Sequence, residues 1–350
     1  MRLGVDLRCL NEGQPGGIAV YAQELLPRLS AALSTWDFLG LLSGLKIREI
    51  DLPFSIRRIN WPNKLLNFSL ISAGYPKLEN WLNEAEFFFA PTPKYLALKP
   101  KTKFVLTVHD LSFVEHPEFF TSRQRFWHRF LKIQKLIERA DRLIAVSEHT
   151  AADIENLVKG SAQKIRVVYS GADHTPLAPQ PRPKNWPEKY ILAFAPSEPR
   201  KNLVNLLKAH ARIYPKLKVP LVLVGTNCQP GPGVIIQPYL SKNEHWRALA
   251  NAEVLVYPSL YEGFGFPPLE AFRLSVPALA AFSTSLPEVL GNAALLVDPF
   301  DPNDLARGLE TILQKDNLRQ EFIRRGHAQV QKFKWSNCAE QTARVFLELT

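Results

Sequence analysis

The chain has 350 residues, 46% of them hydrophobic and 22% charged, the proportions of an ordinary globular protein with room for two domains. No apolar run approaches the roughly 20 residues that span a bilayer. Cys9, Cys228 and Cys338 are scattered without CxxC spacing, which argues against a disulfide framework or a zinc site. The formal charge of +10 is shared by both halves and suits an anionic small molecule, an anionic lipid surface or nucleic acid alike.

The chain opens on RLGVDL (2–7), which reads as a strand and lacks the apolar core of a secretory signal, so a cytoplasmic location is the default expectation. A loop ending in Gly16 and Gly17 leads into a helical pattern at 17–33. KFVLTVH (103–109), RLIAVS (142–147) and IRVVYS (165–170) read as further strands among helical patterns. This alternation implies a parallel sheet covered on both faces. His109 closes one of these strands, where a ligand cleft is expected in such sheets. A histidine bonded inside its own domain fits the same residues. Ser147, between a strand and a helix, reads as an N-cap.

Residues 120–142, FTSRQRFWHRFLKIQKLIERADR, place Phe126, Phe130, Ile133 and Ile137 at helical spacing, joined by Trp127 and Leu131, among basic residues. Two readings stand. One is a helix packed on its own domain with a solvated basic face; the other is a helix lying on a membrane surface. Five prolines between 174 and 187 mark a linker. It separates a domain at 1–173 from one at 188–335. In the latter KYILAFA, PLVLVG, EVLVYPS, VPALAA and ALLVDP read as strands. Residues 336–350 read as an amphipathic helix.

The most informative stretch is YPSLYEGFGFPPLEA (257–271). Gly263, Phe264, Gly265, Phe266, Pro267 and Pro268 break any helix between Glu262 and Glu270. A strand, a glycine turn and a helix opened by proline make an anion cradle, with free backbone N–H groups and the positive end of the helix dipole pointing outward. Glu270 is expected in the first turn of that helix, its charge favoured by the dipole. Arg200 and Lys201 follow another strand after a short turn. Two adjacent cations there suit a diphosphate, or else a solvated helix start with Asn202 as a cap.

Residues 257–271 resemble the E-x7-E motif of retaining glycosyltransferases of the group 1 type (family 4). EPRKNL (198–203) is similar to the family's diphosphate-binding segment. VHDLSF (108–113) and ADRLIAVSEHTAADI (140–154), with GVDLRCL and GGIAVYAQELL near the start, are similar to its first domain. SLPEVLGNAALLVDP (285–299) is similar to the segment after the second Glu. The likenesses run in order over nearly the whole chain. The pattern departs at Ala195 and Pro196, where the family has Gly and a residue with a free N–H.

The resemblance implies a GT-B fold, two Rossmann-like doubly wound domains facing across a cleft, with the final helix returning to the first domain. It implies transfer of a hexose, mannose among the candidates, from a nucleotide-diphospho-sugar to a hydroxyl of a saccharide or lipid-linked acceptor. Anomeric configuration is retained. Lys201 and Arg200 would stabilise the leaving diphosphate, Glu262 hold the sugar and Glu270 the ribose hydroxyls. The amides of Gly263, Phe264 and Gly265 would face the donor. Gly16 and Gly17 would lie near the diphosphate and acceptor, and His109 near the sugar and acceptor. No DxD-like pair stands out as a metal site, and neither metal nor cofactor is expected. Peripheral membrane contact fits the basic helix; nucleic acid is not an expected partner. The competing readings are a sugar-nucleotide epimerase, a phosphorylase-like enzyme with lysine-bound pyridoxal phosphate, and a non-catalytic GT-B binding or scaffold protein.

Overall fold

The computed structural model describes residues 1–11, 16–45, 49–178, 180–194 and 197–350. The chain forms two compact units. The first comprises Met1–Phe113, Thr121–Gly171 and Trp335–Thr350; the second comprises Val114–Phe120 and Ala172–Lys334.

The first unit holds β1 (Arg2–Asp6), β2 (Asp37–Ser43), β3 (Ser55–Ile59), β4 (Phe87–Ala90), β5 (Lys103–Val108), β6 (Arg142–Ala145) and β7 (Ile165–Val167). They form a sheet in the order β3-β2-β1-β4-β5-β6-β7, with every pair parallel. Parallel strands need crossover connections, and the covering helices bury both faces. Hence β4 is wholly buried FFFA, whereas the edge strand β3 exposes Arg57 and Arg58. The helix Gly17–Ala32 buries Tyr21, Leu25 and Leu29. The helix Trp335–Leu347 buries Trp335 and Phe346 in the same unit, with Phe346 edge-on to Phe89 at 5.6 Å. Arg142 and Arg166, on β6 and β7, donate to the Glu348 carboxylate at 2.9 and 2.7 Å. Gly171 permits this packing, because a Cβ there would stand 2.3 Å from the Trp335 nitrogen.

The second unit holds β8 (Ile191–Phe194), β9 (Leu221–Val224), β10 (Val234–Gln237), β11 (Val254–Tyr257), β12 (Ala278–Ala281) and β13 (Leu295–Val297). Their order is β10-β9-β8-β11-β12-β13, again all parallel. Alternate residues of β8 enter opposite cores. Ile191 and Ala193 join Leu206, Ile213, Leu305 and Leu309, and Leu192 joins Trp246, Leu249 and Ala271. In each sheet the strand order reverses once, between β1 and β4 and between β8 and β11. Such a switch point leaves a crevice outside the strand carboxyl ends, where doubly wound folds bind ligands.

The structure departs from the sequence reading in three places. β2, β3, β4 and β10 were not anticipated as strands. The proline-rich stretch is not a linker from its first residue, since Thr175 and the side chain of His174 are buried in the second unit. The 120–142 segment is two helices, Ser122–Leu131 and Ile133–Arg139, broken at Lys132 with φ 49°. The second helix buries Ile133, Leu136 and Ile137; the first buries nothing. The second helix therefore packs on its own domain, and the first stands exposed.

Candidate active site

In the second unit, the loops that follow β8 and β11 meet at the switch point. The tight turn Pro199–Lys201 follows β8. Asn202 stands at the N-cap position of the helix Leu203–Leu217, but its side chain makes no capping bond. Held at φ 57°, its buried amide donates to the carbonyls of Pro258 (3.1 Å) and Pro299 (2.6 Å), past the ends of β11 and β13. The Leu260 N–H donates to the Arg200 carbonyl at 2.7 Å, joining the two loops.

This frame brings Arg200, Lys201 and Glu262 together. Lys201 Nζ donates to Glu262 Oε1 at 2.6 Å and Arg200 Nη1 to Oε2 at 3.1 Å. Lys201 Nζ also donates to the Tyr257 hydroxyl at 3.2 Å. Glu262 is buried, its N–H donating to Thr284 Oγ1 and its carbonyl accepting from Ser285 Oγ. Burial alone would raise its pKa. The charges of Lys201 and Arg200, with the hydrogen bonds of Lys201 and Tyr257, outweigh burial and bring the carboxyl to about 2. Burial holds the Tyr257 phenol well above its ordinary pKa. The site therefore carries one fixed anion between two cations, with a neutral phenol alongside.

The glycine turn follows. Gly265 sits at φ 95°, and a Cβ there would lie 2.7 Å from Leu286 Cδ2, so both backbone and space demand glycine. Gly263 precedes Phe264, whose ring is buried against Phe266 and Phe333 at 5.3 and 5.7 Å. Phe264 thus anchors the turn by its side chain and can offer a ligand only its backbone.

The helix after the turn is Phe266–Arg273. Glu270 is its fifth residue, one position deeper than the sequence suggests and just past the first turn, because Gly265 is the N-cap and the helix opens at Phe266. Its charge is held by imidazoles. His174 Nε2 lies 3.1 Å from Oε1 and His245 Nε2 3.1 Å from Oε2. A carboxylate only accepts, so both nitrogens donate. Burial pushes this carboxyl up, and the two histidine bonds and their charge outweigh it, bringing it to about 2. His245 stacks on Phe194, the last residue of β8, with ring centres 4.3 Å apart. Sequence reasoning missed both histidines. They stand 96 and 25 positions from Glu270, in a proline-rich stretch and mid-helix. The signal available was that a buried carboxylate needs donors.

In the first unit, His109 follows β5 and is half-buried, edge-on to Tyr21 at 4.7 Å. Its Nε2 lies 2.8 Å from the Pro91 carbonyl, which only accepts, so this nitrogen carries the proton and Nδ1 the lone pair. Burial depresses its pKa, favouring the neutral ring. Asp110 Oδ1 accepts from Ser112 N and Oγ at 3.1 and 2.7 Å and so shapes the next turn. His109 and Asp110 line a cavity of about 590 Å³ with Thr92–Tyr95, Trp127 and the cations Lys64, Lys94 and Arg123. Its floor is braced at the β1/β4 switch point. Arg8 pairs with Asp6 at 2.6 Å, both buried, and donates to the Tyr95 carbonyl at 2.7 Å. Gly16 caps the first helix and Gly17 opens it. The loop before them, like Ala195 and Pro196, lies outside the described residues.

Residues 15–175 match the model of Glycosyltransferase Family 4, and residues 176–329 that of Glycosyl transferases group 1. The chain is a nucleotide-sugar glycosyltransferase of the GT-B class, of the families those two models describe. The O-antigen chain mannosyltransferase B of Escherichia coli is 29% identical, over 94% of this chain and 95% of that protein. The MMP alpha-(1->4)-mannosyltransferase of Mycolicibacterium hassiacum is 33% identical over 63% of this chain and 58% of its own length. Among solved structures, sucrose-phosphate synthase from Thermosynechococcus elongatus superposes with a TM-score of 0.75 at 20% identity, covering 99% of this chain and 98% of that one.

Proposed function

We propose that the chain transfers mannose, with retention of configuration, from a nucleotide-diphospho-mannose to a hydroxyl of a saccharide acceptor, free or lipid-linked, in polysaccharide or glycolipid synthesis. The observation that carries this reading is Glu262 held between Lys201 and Arg200 at the β8/β11 switch point. The mannosyltransferases similar to this chain supply the sugar.

Lys201 and Arg200 take the diphosphate. As the bond from the anomeric carbon to the phosphate oxygen breaks, negative charge grows on the leaving group, and fixed cations stabilise it without reorganising. The acceptor oxygen bonds to the same face of that carbon, and its proton passes to the departing phosphate. Glu262 holds the sugar hydroxyls and keeps both cations in place. Glu270 takes the ribose diol, and His174 and His245 keep it ionised for that purpose. The amides of Gly263, Phe264 and Gly265 add donors at the helix N-terminus. Gly16 and Gly17 lie near the diphosphate and acceptor and His109 near the sugar and acceptor, and peripheral membrane contact belongs to this reading.

Sugar-transfer assays with GDP-mannose, UDP-glucose and UDP-N-acetylglucosamine, with and without EDTA, test it. Turnover of GDP-mannose, insensitive to EDTA and giving an α-linked product by proton NMR, is expected. A β-linked product would overturn retention, and exclusive use of a UDP-sugar would overturn mannose.

A further inference from the structure

A second cavity of the first unit has no part in the chemistry above. It holds about 710 Å³, and its walls include Arg57, Arg58, Asn60, Trp61, Tyr75 and Trp81. It shares no residue with the cavity of His109. Its size falls within the roughly 300–1,000 Å³ of ligand pockets.

The sequence builds this cavity at the edge of the sheet. β3 pairs only with β2, so Arg57 and Arg58 face solvent. Trp61 follows, its N–H donating to the Ile59 carbonyl at 2.8 Å. The facing wall is the short helix Leu78–Leu82, anchored by buried Leu78, Glu79 and Leu82. Glu79 accepts from Thr102 Oγ1 at 3.0 Å, which ties that helix to the unit. It carries Trp81, whose ring meets the Trp61 ring at 6.0 Å with 73° between their planes. Trp61 and Tyr75 remain 42% and 60% exposed. Aromatic rings kept out of the core, on backbone that is held in place, mark a binding surface.

The polar groups narrow the occupant. No carboxylate lines the cavity, and among the described residues neither Arg57 nor Arg58 forms an ion pair. A saccharide offers C–H faces that pack on aromatic rings and a rim of hydroxyls that accept from guanidinium, indole N–H and amide donors. An acidic sugar would add charge-assisted bonds. The two indoles form a corner. A flat nucleobase can stack on only one of them, whereas a bent saccharide packs on both. Trp, Tyr and Arg are also the side chains that carry most of the energy of binding surfaces.

Position adds a further argument. All strands of the sheet are parallel, so Trp61 after β3 and His109 after β5 lie at the same edge of it. β2, β1 and β4 stand between them. Four strand spacings of roughly 4.8 Å make about 19 Å, a span that an extended saccharide chain can bridge.

We infer that this cavity is a glycan-binding site separate from the reacting centre, one that grips a saccharide several sugars away from the reacting end. The binding stands on the cavity alone. That the gripped chain is the acceptor whose end lies at His109 rests on the transfer reading above.

The test is a glycan microarray of neutral and acidic oligosaccharides of graded length, probed with the full chain in the absence of donor. Binding to the longer saccharides is expected. Trp61→Ala and the pair Arg57→Ala/Arg58→Ala should each weaken the best of them roughly tenfold or more by calorimetry. Saturation-transfer NMR on the unaltered chain should show aromatic protons in contact with sugar C–H groups, and it does not depend on any variant folding. Transfer to methyl α-mannoside, too short to reach the site, should be unchanged in both variants, while KM for a long acceptor rises. Absence of binding to every saccharide on the array, or unchanged affinity in both variants, overturns the site; transfer to methyl α-mannoside would then still stand. Glycan binding without transfer to any acceptor upholds the site and removes the transfer reading instead. Binding of GDP that Trp61→Ala abolishes assigns the cavity to a nucleotide and overturns the proposal.

Discussion

Around its switch-point site the second unit turns its charges inward, whereas around its cavity at His109 the first unit turns them outward. Around the β8/β11 switch point, Glu262 and Glu270 are each buried and each bound by two donors. In the first unit, cations and aromatics surround a cavity on helices that contain no carboxylate. An inward network is rigid and fits one ligand of fixed chemistry, the diphosphate common to every activated sugar. An outward surface can change residue by residue without costing stability, as a surface must when acceptors vary.

The largest expected effect breaks the inward network. Lys201→Ala removes one cation and leaves Glu262 with Arg200 alone. Initial-rate measurements should show kcat/KM falling roughly 10²- to 10³-fold; an unchanged value would detach the network from the reaction.

Acid should dismantle the same network. Glu262 and Glu270 sit near 2 in the folded chain against an ordinary 4.5. A depressed carboxyl stabilises the fold fully above its unfolded pKa and loses that contribution as protons bind. Stability should therefore drop as pH falls from about 4.5 towards 2, followed as Tm against pH, and Glu270→Gln should flatten the curve in that window.

A smaller effect tests the turn between the glutamates. Gly265→Ala, at positive φ and against Leu286, should cost about 1–3 kcal/mol in urea unfolding. No loss would mean that the turn relaxes freely.

The smallest expected effect sharpens the contrast between the units. His109→Ala should lower kcat about tenfold, the worth of one hydrogen bond, while the Kd for GDP-mannose stays the same by calorimetry. A weakened Kd would mean that His109 contributes to holding the donor as well as to turnover, and the contrast between the units would narrow.

Much of the second unit was legible because its signals are local. Buried parallel strands read as continuous apolar runs, so KYILAFA, EVLVYPS and VPALAA stood out. Glu262 to Glu270, like Arg200 to Lys201, lie within one turn-bounded stretch. What escaped was set by distance or position. β3 (SIRRI) and β10 (VIIQ) are edge strands with partly exposed residues and lack the continuous signal of a buried strand, whereas β2 (DFLGLLS) and β4 (FFFA) are inner strands that carry that signal and were still passed over. His174 and His245 acquire meaning only when folding brings them to Glu270. The helix break at Lys132 was hidden because apolar spacing continues across it, although the two halves face different surroundings.

The placement of Trp335–Thr350 in the first unit has a consequence for how the molecule is made. Trp335 fills the space over Gly171, and Glu348 ties the outer strands β6 and β7, yet both follow the whole second unit along the chain. As the polypeptide leaves the ribosome, the first sheet must wait with one flank uncovered while the residues of the second unit are translated. At about 5–20 residues per second, that delay lasts on the order of 8–30 seconds. During that interval the newborn first unit exposes the bed of its missing helix, which is when a chaperone has most to offer it.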